Sequence, residues 1–191
     1  MARSEDVYNR RAFIELASLE LARAQRYQRF LSLAFLDIDD FKQVNDRDGH
    51  AEGDHLLAKV ADTLRRNLRA FDIVARFGGD EFVVLLPEAD DEAAELVLEK
   101  LQIALRAATH KRWRVGYSIG AVTIEGPHTT LDQLIQSADR LVYEAKRAGK
   151  GRLRHQHLRP NGSEGTPTPD VGFLRPVAYA SSSVGAGRSD R

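Results

Sequence analysis

The chain has 191 residues, and its 28 lysine and arginine residues balance 28 aspartate and glutamate residues, so the formal net charge is +0. A chain without net charge has no overall field that would attract nucleic acid or an anionic membrane, so any phosphate-binding site must be local. Cysteine is absent, which excludes disulfides, thiolate metal centres and a cysteine nucleophile. The N-terminus lacks the apolar core of an export signal, and no apolar run reaches about 18 residues. We therefore expect a cytoplasmic protein with no membrane span and no nucleic-acid partner.

The apolar pattern predicts elements in the order α-β-α-β-β-α-β-α. Apolar residues at helical spacing predict the helices, and short apolar runs bounded by turn residues predict the strands. A hairpin between strand–helix units predicts an α+β fold with a mostly antiparallel central sheet flanked by helices, the ferredoxin-like palm arrangement. The predicted elements are a helix over about 9–28, a strand over 31–38, a helix over about 54–68, a hairpin over 73–86, a helix over about 90–108, a strand over 115–124, and a helix that opens with a capping box at Thr130 and ends near residue 149.

The composition changes near residue 155. We expect a short lead over 1–8, a folded domain over 9–154 and a disordered tail over 155–191. The tail is rich in proline, glycine, serine and threonine, so it has little apolar surface to offset the entropy lost on ordering. His155 and His157 fall in this tail, and we expect both side chains to be solvated.

The most informative segment is the predicted hairpin tip. Gly78 and Gly79 separate two strand-like runs, which predicts a tight turn with both glycines at positive φ. Asp80 and Glu81 then lie at the exposed start of the second strand. Two adjacent carboxylates on a rigid tip are better explained by a divalent cation and the phosphates it holds than by folding.

A further carboxylate ends the preceding strand. Asp37 follows the apolar run 31–36, and if this strand neighbours the hairpin, Asp37 approaches Asp80 and Glu81. Acidic residues at a strand end are also ordinary turn formers, but the second carboxylate pair favours a metal site. Hard oxygen ligands suit Mg²⁺ or Mn²⁺ rather than zinc.

The polar segment 39–53 is predicted to be a loop. Its aspartates lack the ligand spacing of an EF-hand, which we exclude. Beside a metal site such a loop could instead read a base edge, because Asn45 both donates and accepts, and an aspartate accepts from the N1 and N2 groups of guanine. Asp54 could fill that second role or act as a plain helix N-cap.

Two patterns of charged residues have a purely structural interpretation as well as a functional one. Arg69 and Asp72 stand three residues apart, as in an ordinary surface ion pair. Lys146 and Lys150 close the last predicted helix, where positive charge complements the helix dipole; phosphate binding is the alternative.

The segment Gly78-Gly79-Asp80-Glu81-Phe82 spells the GGDEF signature, and the chain resembles the diguanylate cyclase (GGDEF) domain family over about 9–154. Further matching segments follow in the family's order. They are Asn9-Arg10-Arg11-Ala12-Phe13, Asp37-Ile38-Asp39-Asp40-Phe41-Lys42, Asn45-Asp46, Gly49-His50, Gly53-Asp54, Ser118-Ile119-Gly120, Ala138-Asp139-Arg140 and Tyr143-Glu144-Ala145-Lys146.

The resemblance implies a nucleotidyl-cyclase palm that condenses two GTP into cyclic di-GMP and two pyrophosphates, in a homodimer whose two domains face each other. By resemblance, Asp37, Asp80 and the Ile38 carbonyl hold the metal ions. Asp80 also promotes deprotonation of the ribose 3′-hydroxyl, and Glu81 sits beside the metals.

The resemblance also implies contacts to the substrate and to the product. Asn45 and Asp54 would recognise guanine. Arg69 and Asp72 match an RxxD site for inhibitory cyclic di-GMP. The groups expected at the phosphates and the hairpin are Lys42, Lys146, Lys150, Gly78 and Gly79.

Two departures from the family pattern keep other functions open. Residues 4–8 replace the family's usual turn before Asn9, and Lys150 replaces an arginine. We also expect no sensor or dimerising domain before residue 9. A catalytically silent domain that binds GTP or cyclic di-GMP and signals through a partner is therefore the second hypothesis. A palm that uses another nucleotide is the third, although Asn45 with Asp54 favours guanine.

Overall fold

The computed structural model describes residues 7–126 and 129–158 of the chain. Within these residues, five helices flank a six-stranded mixed sheet, which confirms the predicted α+β class. No helix in these two ranges has the length and apolar character needed to cross a membrane. The elements are β1 (Tyr8–Asn9), α1 (Arg10–Tyr27), β2 (Phe30–Asp39), α2 (Phe41–Asp48), α3 (His50–Asn67), β3 (Ile73–Arg76), β4 (Glu81–Pro87), α4 (Asp91–Trp113), β5 (Gly116–Glu125), α5 (Leu131–Arg147) and β6 (Leu153–Leu158).

The sheet has the strand order β1-β3-β4-β2-β5-β6. Its four inner strands pair antiparallel, and the two edge strands, β1 and β6, pair parallel to their neighbours. Strand β2 is therefore central, as its unbroken apolar sequence predicts, because a strand covered on both faces reads as a continuous apolar run. The register places Asp37 opposite Glu81 of β4 on one side and opposite Ser118 of β5 on the other.

Two apolar cores form on the two faces of the sheet. Leu36 and Ile38 of β2 pack in a core that includes buried residues of α3 and α4. Leu33 and Phe35 pack in a second core that includes buried residues of α1 and α5. Because side chains alternate along a strand, Asp37 lies on the face covered by α1 and α5.

Side-chain caps fix the starts of three helices. The Asn9 side chain accepts from the Ala12 N–H, and the Asp90 side chain accepts from the Ala93 N–H. Thr130 forms the predicted capping box with Gln133, so both ends of that reciprocal pair are satisfied.

The predicted loop over 39–53 is largely helical instead. Helix α2 occupies most of it, and Gly49, at φ +88, turns the chain directly into α3. Helix α3 therefore begins at His50, and Asp54 lies inside it rather than at its N-cap. The high polar content that indicated a loop reflects exposed helix faces, since Val44 is the buried residue of α2. Helix α4 also continues past residue 108 to Trp113.

The predicted boundary between domain and tail is displaced by four residues. Strand β6 continues to Leu158 and pairs with β5, so 155–158 belong to the folded domain. His155 is only 5% exposed, which contradicts the expected solvated side chain; His157 is partly buried. Tyr8, placed in the lead, pairs with Ala75 of β3. The rest of the lead and tail, 1–6 and 159–191, lies outside the described residues.

Candidate active site

The hairpin tip between β3 and β4 differs from the predicted two-residue turn. Residues 77–80 connect the strands, and neither Gly78 nor Gly79 has a φ in the left-handed region. Gly78 is required for another reason, because a Cβ there would lie 2.6 Å from Oε2 of Glu81. The Arg76 guanidinium donates to the Gly79 carbonyl at 2.7 and 3.0 Å, which fixes the tip. Gly78 thus leaves room for the Glu81 carboxylate, whereas a Cβ on Gly79 would have no atom within 4 Å.

Three carboxylates meet where β2 and β4 pair. Asp37 lies directly opposite Glu81, and the Ile38 N–H donates to the Asp80 carbonyl at 3.4 Å. Asp37 is 7% exposed, whereas Asp80 and Glu81 are half-buried. The expected approach of Asp37 to the hairpin carboxylates is therefore observed.

The charges in this cluster are poorly compensated. Burial raises the pKa of Asp37 from its usual 3.8 to about 6; Lys146 opposes the rise, and Asp80 and Asp39 add to it. Burial, and then the charge of Asp80, also raise the pKa of Glu81. Buried like charges favour protonation or a bound cation, because either reduces their repulsion.

Two lysines approach this end of β2. Lys146, in the last turn of α5, places Nζ 2.7 Å from Oδ2 of Asp37. Lys150, in the connection to β6, donates from Nζ to Oδ1 of Asp40 at 2.7 Å. Lys42 lies exposed in the first turn of α2, immediately after this segment. Of the three lysines, Lys146 and Lys150 thus contact carboxylates at this end of the strand, and Lys42 lies in the helix that follows it.

Asn45 and Asp54 lie on α2 and α3, the two helices that follow β2. A Cβ on Gly53 would overlap Oδ1 of Asn45, so the glycine lets α2 and α3 approach closely. Asp54 is exposed and adjoins this contact, while Asn45 is half-buried. The two side chains therefore project from neighbouring parts of the α2–α3 pair.

The donor chemistry of the cluster fits Mg²⁺ or Mn²⁺. Asp37, Asp80 and the Ile38 carbonyl supply hard oxygens, and the Lys146 ammonium already occupies a cation position at Asp37. Within 7–126 and 129–158 no group of three or more His, Cys, Asp or Glu side chains could by itself hold a metal ion. Proteins often bind Mg²⁺ through only one or two carboxylates, with substrate phosphates and water completing the shell.

Arg69 and Asp72 line a separate cavity of about 680 Å³ between α1 and the start of β2. Their contact is a turn hydrogen bond rather than a side-chain ion pair, because the Arg69 N–H donates to Oδ2 of Asp72 at 2.7 Å. Burial raises the pKa of Asp72, and that hydrogen bond opposes the rise. Phe71, between them, is 85% exposed. Arg23 and Arg29 also line the cavity, and they pair with its carboxylates Glu20 and Glu88 at 2.8 and 3.5 Å. The structure thus separates these residues from the carboxylate cluster.

The sequence did not reveal a second group of buried polar residues next to the carboxylates, centred on Asp39. Asp39 is buried, accepts a hydrogen bond from Ser118 and accepts another from the Gly151 N–H. The spacing Asp37-Ile38-Asp39 was a signal for this, since residues two apart on a strand share a face.

The comparisons with known proteins agree with this geometry. The family model for the diguanylate cyclase GGDEF domain matches residues 5–152. Diguanylate cyclase DgcP of Pseudomonas aeruginosa is 42% identical over 149 residues, which are 76% of this chain and 22% of DgcP. The chain therefore spans less than a quarter of that relative.

Solved structures of GGDEF domains have the same fold as this chain. The GGDEF domain of YfiN from Pseudomonas aeruginosa matches with a TM-score of 0.72 at 35% identity, over 78% of this chain and 96% of that one. The GGDEF domain of DgcB from Caulobacter crescentus, solved with c-di-GMP, matches with a TM-score of 0.72 at 26% identity, over 81% and 95%.

Proposed function

The chain belongs to the diguanylate cyclase GGDEF domain family, and we propose that it condenses two GTP molecules into cyclic di-GMP with release of two pyrophosphates. The observation that carries the proposal is the meeting of Asp37 with Asp80 and Glu81 beside Lys146. A carboxylate cluster with uncompensated charge, next to lysines, is a site for a metal-bound triphosphate.

In each bond-forming step, a ribose 3′-hydroxyl of one GTP attacks the α-phosphate of the other, and pyrophosphate leaves. Mg²⁺ held by Asp37, Asp80 and the Ile38 carbonyl would lower the pKa of that hydroxyl and polarise the phosphate. Asp80, half-buried at the hairpin tip, promotes loss of the hydroxyl proton. Glu81 adds negative charge beside it, which strengthens cation binding.

The three lysines act on the triphosphate. Lys146 and Lys150 exchange their present partners, Asp37 and Asp40, for phosphate oxygens when the nucleotide and its metal bind. Lys42 approaches from α2. Positive charge placed there neutralises the charge that develops on the phosphoryl and pyrophosphate oxygens, with the backbone amides of Gly78 and Gly79 nearby.

Guanine recognition falls to Asn45 and Asp54. An aspartate accepts from the N1 and N2 groups of guanine, and adenine offers no donor at N1. We expect Asp54→Ala to reduce the selectivity for GTP over ATP by about tenfold or more, because a site built around hydrogen bonds discriminates strongly against the base that cannot form them. Competition binding with the two nucleotides measures this.

One carboxylate cluster holds one GTP, so closure of the ring requires two domains facing each other. We propose that the active form is a homodimer with antiparallel substrates. The specific activity should then rise with protein concentration until the dimer is saturated. A specific activity that is independent of dilution through the monomer range would contradict the dimer requirement.

The cavity at Arg69 and Asp72 is proposed as an inhibitory site for cyclic di-GMP. Arg69 can donate to phosphates, Arg23 and Arg29 could do so by leaving Glu20 and Glu88, and the exposed ring of Phe71 offers a stacking surface for a base. We expect Arg69→Ala to raise the inhibitory concentration of cyclic di-GMP about tenfold or more. Arg65→Ala, an exposed α3 arginine outside the cavity, is the matched control. Equal inhibition of both variants would return Arg69 and Asp72 to a purely structural role.

A silent, nucleotide-binding domain is the alternative. The observation that favours it is the 2.7 Å contact between Lys146 and Asp37, because a persistent ion pair there would exclude the metal. Such a protein would bind GTP or cyclic di-GMP without turnover.

One experiment separates the two functions. The purified protein is incubated with GTP and Mg²⁺, and cyclic di-GMP is measured by mass spectrometry in parallel with GTP binding by calorimetry. We expect product from the parent and from Asp62→Asn, which changes a partly buried carboxylate on α3 that pairs with Arg65 and Arg66, and none from Asp80→Ala. Binding without product in the parent would establish the silent domain. Product from Asp80→Ala would overturn the assigned metal site.

A further inference from the structure

Asp39 is a buried carboxylate beneath the proposed active site, and it joins three segments of the chain. It is 3% exposed at the end of β2. Its Oδ1 accepts from the Ser118 hydroxyl of β5 at 2.6 Å, and its Oδ2 accepts from the Gly151 N–H at 2.9 Å. Gly116 packs against it, since a Cβ there would lie 2.7 Å from Oδ2. Burying a carboxylate is unfavourable, so this position requires the hydrogen bonds that Asp39 receives.

The segment that Asp39 holds is conformationally unusual. Gly149, Lys150 and Gly151 follow one another with φ values of +115, +61 and +60. A left-handed lysine costs on the order of 1 kcal/mol or more, so the surrounding contacts must stabilise this backbone. The Gly151 carbonyl accepts from Nη2 of Arg106 at 2.7 Å, opposite to the hydrogen bond from its N–H to Asp39.

This backbone determines where two lysines lie. The Lys150 N–H donates to the Ala145 carbonyl and the Gly149 N–H donates to the Lys146 carbonyl, so the segment continues directly from the last turn of α5. Lys150 reaches Asp40 from this turn, and Lys146 reaches Asp37 from the helix end. A shift of the backbone at Gly151 would therefore displace the adjacent Lys150 more than it displaces Lys146.

We propose that Asp39 is a positioning residue: by holding Gly151 it aims Lys150, and with it Lys146, at the triphosphate of the bound nucleotide. The proposal rests on the proposed function, because it assigns those lysines to a nucleoside triphosphate. Asp39 itself is buried and does not touch the substrate. Its loss should act on nucleotide binding through Lys150 rather than on the chemical step.

A double-mutant cycle tests this route. Asp39→Ala, Asp39→Asn and Lys150→Ala are made singly, and each Asp39 change is also made in the Lys150→Ala background. We expect Asp39→Ala to raise both the KM for GTP and the Kd for GTP with Mg²⁺ about tenfold, with a smaller change in kcat. Asp39→Asn should have a weaker effect, because its amide oxygen can still accept from Gly151. In the Lys150→Ala background the further effect should fall to about twofold or less, because residues that act through one another are not additive.

A structural measurement accompanies the cycle and does not depend on turnover. Hydrogen exchange of the Gly151 amide should be slow in the parent and fast in Asp39→Ala, with protection elsewhere in the sheet retained. Asp62→Asn, which changes a partly buried carboxylate on α3 outside the site, should leave KM, Kd and this exchange unchanged. Ser118→Ala removes one of the two donors to Asp39, and it replaces Asp39→Ala if that variant fails to fold.

Several results would overturn the proposal. Equal loss of kcat in Asp39→Ala and Asp39→Asn at unchanged KM would assign the charge of Asp39 a direct part in the reaction. Full additivity with Lys150→Ala would show that the two residues act independently. A parent that binds GTP but makes no product would refute the proposed cyclase activity alone, since the Kd and the Gly151 exchange still test the positioning.

Discussion

Two buried polar clusters lie near opposite ends of β2, and they differ in how their groups are satisfied. At one end, Asp37 lies opposite Glu81 and depends on Lys146 for a positive partner. Near the other end, a chain of hydrogen bonds runs from the Ala89 carbonyl through Ser32, Thr123 and His155. We call the first the carboxylate cluster and the second the histidine cluster.

The histidine cluster pairs neutral donors with acceptors. Ser32 and Thr123 lie 2.6 Å apart, and Thr123 contacts Nε2 of His155 at 2.7 Å. Asp91 of α4 contacts Nδ1 of His157 at 2.5 Å, so this cluster ties β6 to α4. Burial lowers the pKa of His155, while Asp91 partly opposes that change. Most of these groups have a partner within the protein, and the exception is the buried Oδ1 of Asp91, which lies 3.5 Å from Nε2 of His155 and accepts no hydrogen bond.

The carboxylate cluster cannot be explained in the same way. Its oxygens are all acceptors with like charge, and burial raises the pKa of Asp37 to about 6. Folding alone gains nothing from such an arrangement, since the charge is desolvated and repelled. Incompletely compensated charge, rather than the presence of buried polar groups, thus distinguishes the candidate active site from a structural network.

The largest expected effect is a loss of activity in a variant that still folds. Asp37→Asn removes a proposed metal ligand and should reduce cyclic di-GMP formation by about 10³-fold or more. It also removes a buried charge, so thermal unfolding without added metal should occur at the same or a higher temperature. Mass spectrometry of the product and calorimetric unfolding measure the two properties. A variant that loses stability as well as activity would mean that the carboxylate is structural.

Thr123→Val should reduce stability and leave activity unchanged. It removes a hydroxyl between Ser32 and His155 and leaves both without that partner, which should reduce the free energy of unfolding by about 1–3 kcal/mol. Urea unfolding measures the change, and activity per folded molecule should stay the same. Ser18→Ala, which removes an exposed hydroxyl of α1, is the control and should change stability by under about 0.5 kcal/mol. A folded Thr123→Val variant that loses activity would show that the histidine cluster also contributes to function, which contradicts this prediction.

The two clusters should also differ in their response to acid. The folded pKa of Asp37 is above its usual 3.8, so the folded state binds more protons, and parent stability should rise relative to Asp37→Asn as pH falls through about 6 toward 4. The folded pKa of His155 is below its usual 6.5, so the folded state binds fewer protons, and parent stability should fall relative to His155→Gln below pH 6.5.

Unfolding free energies of the three proteins at several pH values, without divalent metal, separate these contributions. The Asp37 difference should be about 1–3 kcal/mol across its range. If the unfolding free energies of the parent and Asp37→Asn change in parallel from pH 7 to 4, the pKa of Asp37 is not raised in the folded state.

Local sequence patterns predicted most of the fold because each depends on near neighbours. The apolar run ending at Asp37 and the capping box at Thr130 are visible without tertiary information. Helix α2 was missed because it contributes little to the core: Val44 is buried and Phe41 packs against the core partly buried. Strand β6 was missed because its buried side chains include His155 and Gln156, which read as polar and exposed but are satisfied by groups distant in the chain.

The sequence by itself determined the fold class, the hairpin carrying Asp80 and Glu81, and the match to the GGDEF family. Tertiary structure alone decided that Asp37 lies opposite Glu81, that Lys146 reaches Asp37, and that Arg69 and Asp72 line a separate cavity. It also revealed Asp39 as the group that holds Gly151. The physical reason is that periodicity records which face of an element is apolar, whereas strand register and the distances between charged groups are fixed only when all the elements pack together.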